Sequence, residues 1–506
     1  MAVHATTIRV ALALTSLEEH LVSANSRPGD DPLGLRGDAP LLDGYLEYLR
    51  GDVRPFTTPG HKGSSDLIGV VVANDIPLYG GVDTIRARDG RLAEAERRVA
   101  GLWGADWARI ATGGSTHGNQ TLALAVASPG DEVVVTRTLH RSLLLGIMLA
   151  GLVPVWLHPD TDQRTGLPAA IPAKRLADTL AAHPNAKAVF LVEPGYIGTM
   201  SNVAEHAEVA HGHDIPLLVD QAWGAYLGFH PDLPPHALQA GADGLVTSTH
   251  KTLPAYTQSA LVMARTDRLD RARLERAFET TNTTSPSGAI AASADAVRAL
   301  LERDGERLMG QVLEVVSAAR RQLSEIDGVS VLEPGSMGAT TVDPVKLVIG
   351  VSGAGVNAMA LEDDLIARGF PVEMADHDTV VPMVTMADSL DDITAFTTTF
   401  AELVEKHRGE PRQVRPSSAW TVQSEVVMTP REAYFARHET VPALDAIGGI
   451  SAELVAPYPP GVPVLAPGER ITSEAVAALH QALAEGTLVK YAADASLQTF
   501  QVVATD

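Results

Sequence analysis

The chain has 506 residues, 45% of them hydrophobic and 20% charged, the balance of a globular soluble protein of roughly two to four domains. Its 39 Lys+Arg against 62 Asp+Glu leave a net charge of −23, which excludes a surface built for nucleic-acid phosphates and favours small cationic ligands. It contains no cysteine, and so no disulfide framework, no thiolate metal site and no cysteine nucleophile; a cytoplasmic protein is expected.

The N-terminal "MAVHATTIRVALALTSLEEH" is mildly apolar but lacks a basic leading region and soon meets Glu18 and Glu19, so it reads as the start of a helix or strand rather than a signal peptide. No apolar run approaches about 18 residues, and no membrane span is expected. "SANSRPGDDPLGLRGDAP" follows as a linker or arm, which sets the first boundary at residue 45. From about residue 90 a βα alternation begins. Leu92, Ala95, Val99 and Leu102 fall at helical spacing before a glycine. "TGGSTHGNQ" (112–120) places small and hydroxyl residues, among them Ser115, Thr116 and His117, just before a helix, where backbone N–H groups can hold a phosphate. "DEVVVT", "AKAVFLVEP" and "IPLLVDQAW" read as apolar strands, and such runs alternating with helices imply a parallel sheet covered on both faces. Ligands of such sheets sit at the carboxyl ends of the strands. His140, Glu193, Asp220 and the "STHK" segment Ser248–Lys251 all follow strand-like runs, so they are expected at one edge.

A long amphipathic helical stretch begins near residue 290, and "GVSVLEP", "PVKLVIGV" and "VPMVTMA" supply strands of a second, smaller α/β unit. Residues 409–425 read as a connector. The expected domains are an arm (1–45), a large α/β domain (46–288), a small α/β domain (289–408), and a linker with a C-terminal α+β domain (409–506).

Singly, these residues are ordinary: a carboxylate after a strand often caps a helix, and a histidine is often structural. Together they meet the demands of pyridoxal phosphate, which needs a phosphate cup, a lysine, a carboxylate for the pyridine nitrogen and a flat group over the ring. Lys251, in nearly uncharged surroundings, is the expected Schiff-base lysine. Asp220 would hold the ring nitrogen protonated, and His140 would stack on the ring. Thr116 and His117, with Ser115, would supply the cup, joined by Ser248 and His250.

The motifs "PFTTPGHKG", "GGSTHGN", "LHRS", "PLLVDQAWGAYLGFH", "STHKTLPAYTQSA", "TTSPSG", "VMTPREAYFA" and "APYPPGVPVLAPGERIT" resemble the Orn/Lys/Arg decarboxylase family from about residue 40 to the C-terminal region. The resemblance implies an aspartate-aminotransferase-like α/β fold of PLP fold type I. It also implies decarboxylation of a basic amino acid, with arginine favoured over lysine or ornithine. By the same resemblance Glu373, and beside it Asp376, would meet the distal cation of the substrate. Trp223 would lie at the cofactor, and Ser285 and Ser287 would reach the phosphate in a neighbouring subunit of a homodimer or dimer of dimers. Many members have "DEAHG" where this chain has "DQAWG", with Gln221 and Trp223 in the altered places. That departure keeps transamination or oxidative deamination open as an alternative. Only about 40 residues precede the match, so the N-terminal wing of the longer members is not expected.

Overall fold

The computed structural model describes residues 34–51, 57–59, 61–62, 74–83, 90–338, 340–414, 421–458 and 461–504. The expected N-terminal element, most of the arm, and parts of "PFTTPGHKG" and of the connector lie outside these residues. The boundary expected at residue 45 falls inside the helix Pro40–Arg50, whose Leu41, Tyr45 and Leu46 are buried in the main core.

In chain order the first strands are β1 (Trp107–Ala111), β2 (Glu132–Thr136), β3 (Val153–Leu157), β4 (Val189–Val192), β5 (Thr199–Met200), β6 (Leu217–Asp220), β7 (Gly244–Ser248) and β8 (Ala260–Ala264). All except β5 join one seven-stranded sheet in the order β1-β8-β7-β6-β4-β2-β3. β3, β2, β4, β6 and β7 run parallel, as the alternation implied, whereas β8 is antiparallel to both β7 and β1. The reason is the connection: residues 249–259 are too few for a crossover helix, so the chain turns straight back. The edge strand β3 was not among the expected strands. It holds Pro154, and an edge tolerates the lost ladder donor.

Both faces of the sheet are covered, and successive side chains enter opposite cores. Val133, Val135, Leu218 and Val246 pack with Leu122, Leu143 and Phe278, while Val134, Leu217, Val219 and Leu245 pack with Leu176, Val203 and Val297. The helix Gly114–Val126 lies close on the sheet because residue 118 is glycine: a Cβ there would sit 2.6 Å from Val246 Cγ1 and 2.8 Å from Val262 Cγ2. The expected helix near residue 91 is Arg91–Trp103, ending at Gly104 with φ +63°.

The 37-residue helix Gly288–Ser324 begins at the expected boundary between the two α/β domains, with Ser287 as its N-cap. Beyond it come β9 (Ser330–Val331), β10 (Thr341–Val342), β11 (Ile349–Gly350), β12 (Met374–Ala375) and β13 (Thr379–Val381). β12, β13, β11 and β9 form an antiparallel sheet, and β10 pairs back onto β5. The strand expected at "VPMVTMA" ends at its first residue, because Pro382 has no N–H to continue the ladder.

In the C-terminal unit, β14 (His438–Pro442) pairs with β17 (Thr499–Val503) and β15 (Ala456–Tyr458) with β16 (Leu488–Lys490), around the helix Ser473–Ala484. One buried ion pair fastens it to the large domain. Arg137 donates from Nη1 to Glu469 Oε1 at 2.6 Å and from Nη2 to Oε2 at 3.0 Å, and its guanidinium lies 4.7 Å from the Trp156 ring centroid. Ala466 N–H donates to the same carboxylate at 2.8 Å. Among the described residues no helix is long and apolar enough to cross a membrane.

Removing one partner from such a buried pair strands the other charge, at a cost of about 3–5 kcal/mol. Glu469→Leu should therefore lower the urea midpoint markedly, and the double variant Arg137→Met/Glu469→Leu should recover most of the loss.

Candidate active site

Because β2, β4, β6 and β7 are parallel, their carboxyl ends share one edge of the sheet. Asp220 is the last residue of β6 and Ser248 the last of β7; His140 follows β2, and Lys251 lies in the single-turn helix Thr249–Thr252 directly after β7. The N-terminus of the helix Gly114–Val126 reaches the same edge, where Ser115 Oγ lies 2.7 Å from Ser248 Oγ. Its N-cap is Gly113, with no side chain capping the first turn; the Gly114 N–H donates to Gln258 O at 2.8 Å, and the N–H groups that follow are open to an anionic partner.

A buried chain of hydrogen bonds joins these pieces. Asn119 Nδ2 donates to Asp220 Oδ2 at 2.6 Å and to Ser142 Oγ at 2.9 Å. Ala222 N–H donates to the other Asp220 oxygen at 3.1 Å. Ser142 presents its main-chain N–H to His140 Nδ1 at 3.2 Å and its hydroxyl to the same nitrogen at 2.7 Å. A nitrogen that accepts an N–H carries no proton, so the imidazole is neutral with its proton on Nε2. Burial lowers the His140 pKa and so favours that neutral ring; Asp220 pulls the other way, and the Lys251 ammonium adds to the lowering.

Burial likewise lowers the pKa of Lys251, against the pull of Asp220 and Glu373, which eases loss of its proton. The Lys251 Nζ lies 4.2 Å from the Trp223 ring centroid, and a second amine, Lys346 Nζ, lies 4.1 Å from the same centroid. Tyr196 stands between the two aromatic partners of the site, 6.4 Å from both the His140 ring and the Trp223 ring. Trp223, Lys346, Glu373, Tyr196, Met374, Val381 and Tyr458 line a small, partly open cavity.

The remaining expected site residues are placed as follows. The His117 side chain turns into the core, where Nε2 donates to Phe278 O at 2.9 Å and the ring centroid lies 4.2 Å from that of Phe278. His250 is held through Nδ1 to Ser259 O at 2.7 Å, leaving Nε2 for another partner. Thr116 is exposed in the first turn of its helix. Ser285 is exposed, and Ser287 caps the helix Gly288–Ser324; no hydrogen bond joins either to Ser115, Thr116 or Ser248 among the described residues. Glu373 is exposed and faces the cavity, whereas Asp376 Oδ1 accepts the N–H groups of Asp378 and Thr379 at 2.9 and 2.7 Å and shapes the β12–β13 turn. Gln221 is buried and spent on the backbone, donating to Gly224 O at 2.7 Å and accepting from Ala237 N–H at 2.8 Å.

Asn119, Ser142, Tyr196, Lys346 and Tyr458 were not singled out from the sequence. Asn119 and Ser142 stood inside the motifs "GGSTHGN" and "LHRS", and Lys346 was the lone charge in "PVKLVIGV"; those were the available signals. The groups at the strand edge are of the kinds that pyridoxal phosphate needs: an amine of lowered pKa, a buried carboxylate held by two donors, a neutral ring and an uncapped helix N-terminus.

Residues 39–392 match the family described as Orn/Lys/Arg decarboxylase, major domain, and residues 415–487 its C-terminal domain. The chain is 30% identical to an arginine decarboxylase of Halalkalibacterium halodurans over 92% of its own length and 97% of the relative's. It is also 30% identical to an arginine decarboxylase of Bacillus subtilis, over 92% and 98%. Among solved structures, a lysine decarboxylase of Francisella novicida superposes with a TM-score of 0.78 at 20% identity, covering 92% of this chain and 81% of that one.

Asn119→Ala would leave Asp220 Oδ2 and Ser142 Oγ each without the donor they share. An unsatisfied buried group costs about 1–3 kcal/mol, so thermal denaturation of the cofactor-free protein should show a clear loss of stability, with Asn119→Asp no better.

Proposed function

The chain belongs to the Orn/Lys/Arg decarboxylase family, and from that premise we propose that it converts L-arginine to its amine and CO2, with pyridoxal phosphate as cofactor. The observation that carries this reading is the convergence of Lys251, Asp220 and a neutral His140 at one strand edge, beside a cavity that offers the acidic Glu373. Arginine is favoured because the relatives at 30% identity over nearly their full length are arginine decarboxylases.

When bound, pyridoxal phosphate supplies an electron-poor ring that accepts the electron pair left on Cα as CO2 departs. Lys251 would supply the amine that holds the cofactor; its lowered pKa favours the unprotonated amine that such a role needs. Asp220, with Asn119 and the Ala222 N–H keeping it in place, would hold a proton on the pyridine nitrogen. His140, neutral and fixed by Ser142, would lie on the ring without adding a charge that competes with that proton. Ser115, Thr116 and the main chain of His117, with Ser248 and His250, would hold the phosphate at the helix N-terminus. Ser285 and Ser287 of the partner subunit would complete that cup in a homodimer or dimer of dimers. Glu373 would receive the guanidinium. Asp376, already committed to two main-chain N–H groups, is the weaker partner for it.

Purified protein supplied with pyridoxal phosphate should release agmatine and CO2 in equal amounts from arginine, and much less amine from lysine or ornithine, with no oxygen consumed. An aldehyde or keto acid, or uptake of oxygen, would instead mean transamination or oxidative deamination. Lys251→Ala should abolish turnover and the visible absorbance of the lysine-linked cofactor while leaving the circular dichroism unchanged. Glu373→Gln should raise KM for arginine about tenfold to a hundredfold, the worth of one charge-assisted hydrogen bond, in steady-state assays.

A further inference from the structure

Lys346 is a buried lysine whose backbone is held on several sides. β10 pairs with β5 just before it, Asp343 N–H donates to Gly198 O at 2.8 Å, and Arg320 donates to Lys346 O at 2.8 Å and to Pro344 O at 2.9 Å. Its stem passes over Gly198, where a Cβ would stand only 2.7 Å from both Lys346 Cβ and Cγ. Glycine at that position therefore leaves the side chain its route to Trp223. The Nζ ends 4.1 Å from the indole centroid, so it and Lys251 Nζ are no farther apart than the two distances to that shared ring allow.

That ammonium makes no ion pair and no hydrogen bond among the described residues. Asp343, three positions away, is already engaged by Tyr226 Oη–H and by Val345 N–H. Asp343 and, more weakly, Glu373 attract it through space without forming an ion pair with it, and Lys251 repels it. A buried cation with no anion in direct contact is costly and marks a site where a ligand can supply the paired anion. Burial pulls its pKa down to about 8, which still leaves it mostly charged at neutral pH. The cavity thus offers an amine and a carboxylate that do not satisfy each other, arranged around one aromatic floor. A zwitterion with an anionic head and a distal cation satisfies both.

We infer that Lys346 receives the α-carboxylate of the substrate, with Glu373 at the opposite end of the same molecule. The inference rests on the decarboxylase reading above and adds the group that sets the orientation of the amino acid. It has a consequence for the kinetics. The carboxylate charge is lost as CO2 leaves, so the attraction to Lys346 is stronger in the bound substrate than in the transition state. Lys346 therefore contributes to binding and orientation and does not lower the chemical barrier. It is a binding residue, in contrast to Lys251.

The test uses two unreactive ligands that lack the α-amine, 5-guanidinopentanoate, which keeps the carboxylate, and butylguanidine, which does not. Their inhibition constants are measured on the holoenzyme for the wild type, Lys346→Met and Lys346→Arg, with cofactor absorbance and circular dichroism recorded for each. Lys346→Met should weaken 5-guanidinopentanoate at least about tenfold and leave butylguanidine within about twofold, and Lys346→Arg should recover most of the loss. For arginine itself, KM should rise by a similar factor while kcat holds or increases. Equal weakening of both ligands, or a fall in kcat with KM unchanged, would overturn the assignment in favour of a structural or proton-donating lysine. If the wild-type holoenzyme bound neither guanidinium ligand and did not turn over arginine, the arginine reading would fail, and the inference with it.

Discussion

Asn119 donates to Asp220 at the end of β6 and to Ser142 beyond β2, and Ser142 in turn fixes His140. That one amide ties two strand ends and a helix together where all three side chains are buried, and the rest of the site depends on it. It decides that Asp220 keeps a defined direction and that His140 keeps its proton on Nε2. It works only because the helix Gly114–Val126 sits low on the sheet, which Gly118 permits by offering no Cβ to Val246 and Val262. Backbone packing and side-chain chemistry are thus one arrangement here. A larger residue at position 118 would displace the donor on which Asp220 relies.

A second constraint is the gathering of like charges. Two lysine amines lie over one indole, and both are buried enough to have lowered pKa values. The aromatic face offsets part of the desolvation of each ammonium, by about 0.5–2 kcal/mol for a cation held on a ring. Tryptophan is the strongest of the aromatic residues in this respect, which gives Trp223 a physical role where many family members carry histidine. Gln221, the other departure, spends its side chain on holding the following turn to the residues near Ala237. The C-terminal unit also enters the site. Tyr458 lines the cavity, Arg141 lies over the Tyr491 ring, and the Arg137–Glu469 pair anchors that unit three residues before His140.

The residues legible in the sequence share a property: each follows a strand-like run or opens a helix, and in a parallel sheet those places coincide at one edge. Asp220, His140, Ser248 and Lys251 were found in this way. His117 shows the limit of that reasoning. Its position at a helix start raised the expectation of a phosphate cup, yet a side chain there can turn either way, and Phe278, more than 160 positions further on, supplies the carbonyl that holds it in the core. Glu373 was the favoured loop acid and Asp376 the weaker one; the β12–β13 turn takes up Asp376 and leaves Glu373 facing the cavity.

By itself the sequence determined the alternation of strands and helices, the parallel core of the sheet and the family, because apolar period, breaker residues and local motifs are properties of neighbouring residues. Tertiary structure alone decided that β1 pairs with β8, that Asn119 links Asp220 to Ser142, and that Lys346 reaches Trp223. Each of these depends on segments brought together from distant positions, where close packing makes the partner of a buried polar group a matter of geometry rather than of sequence spacing.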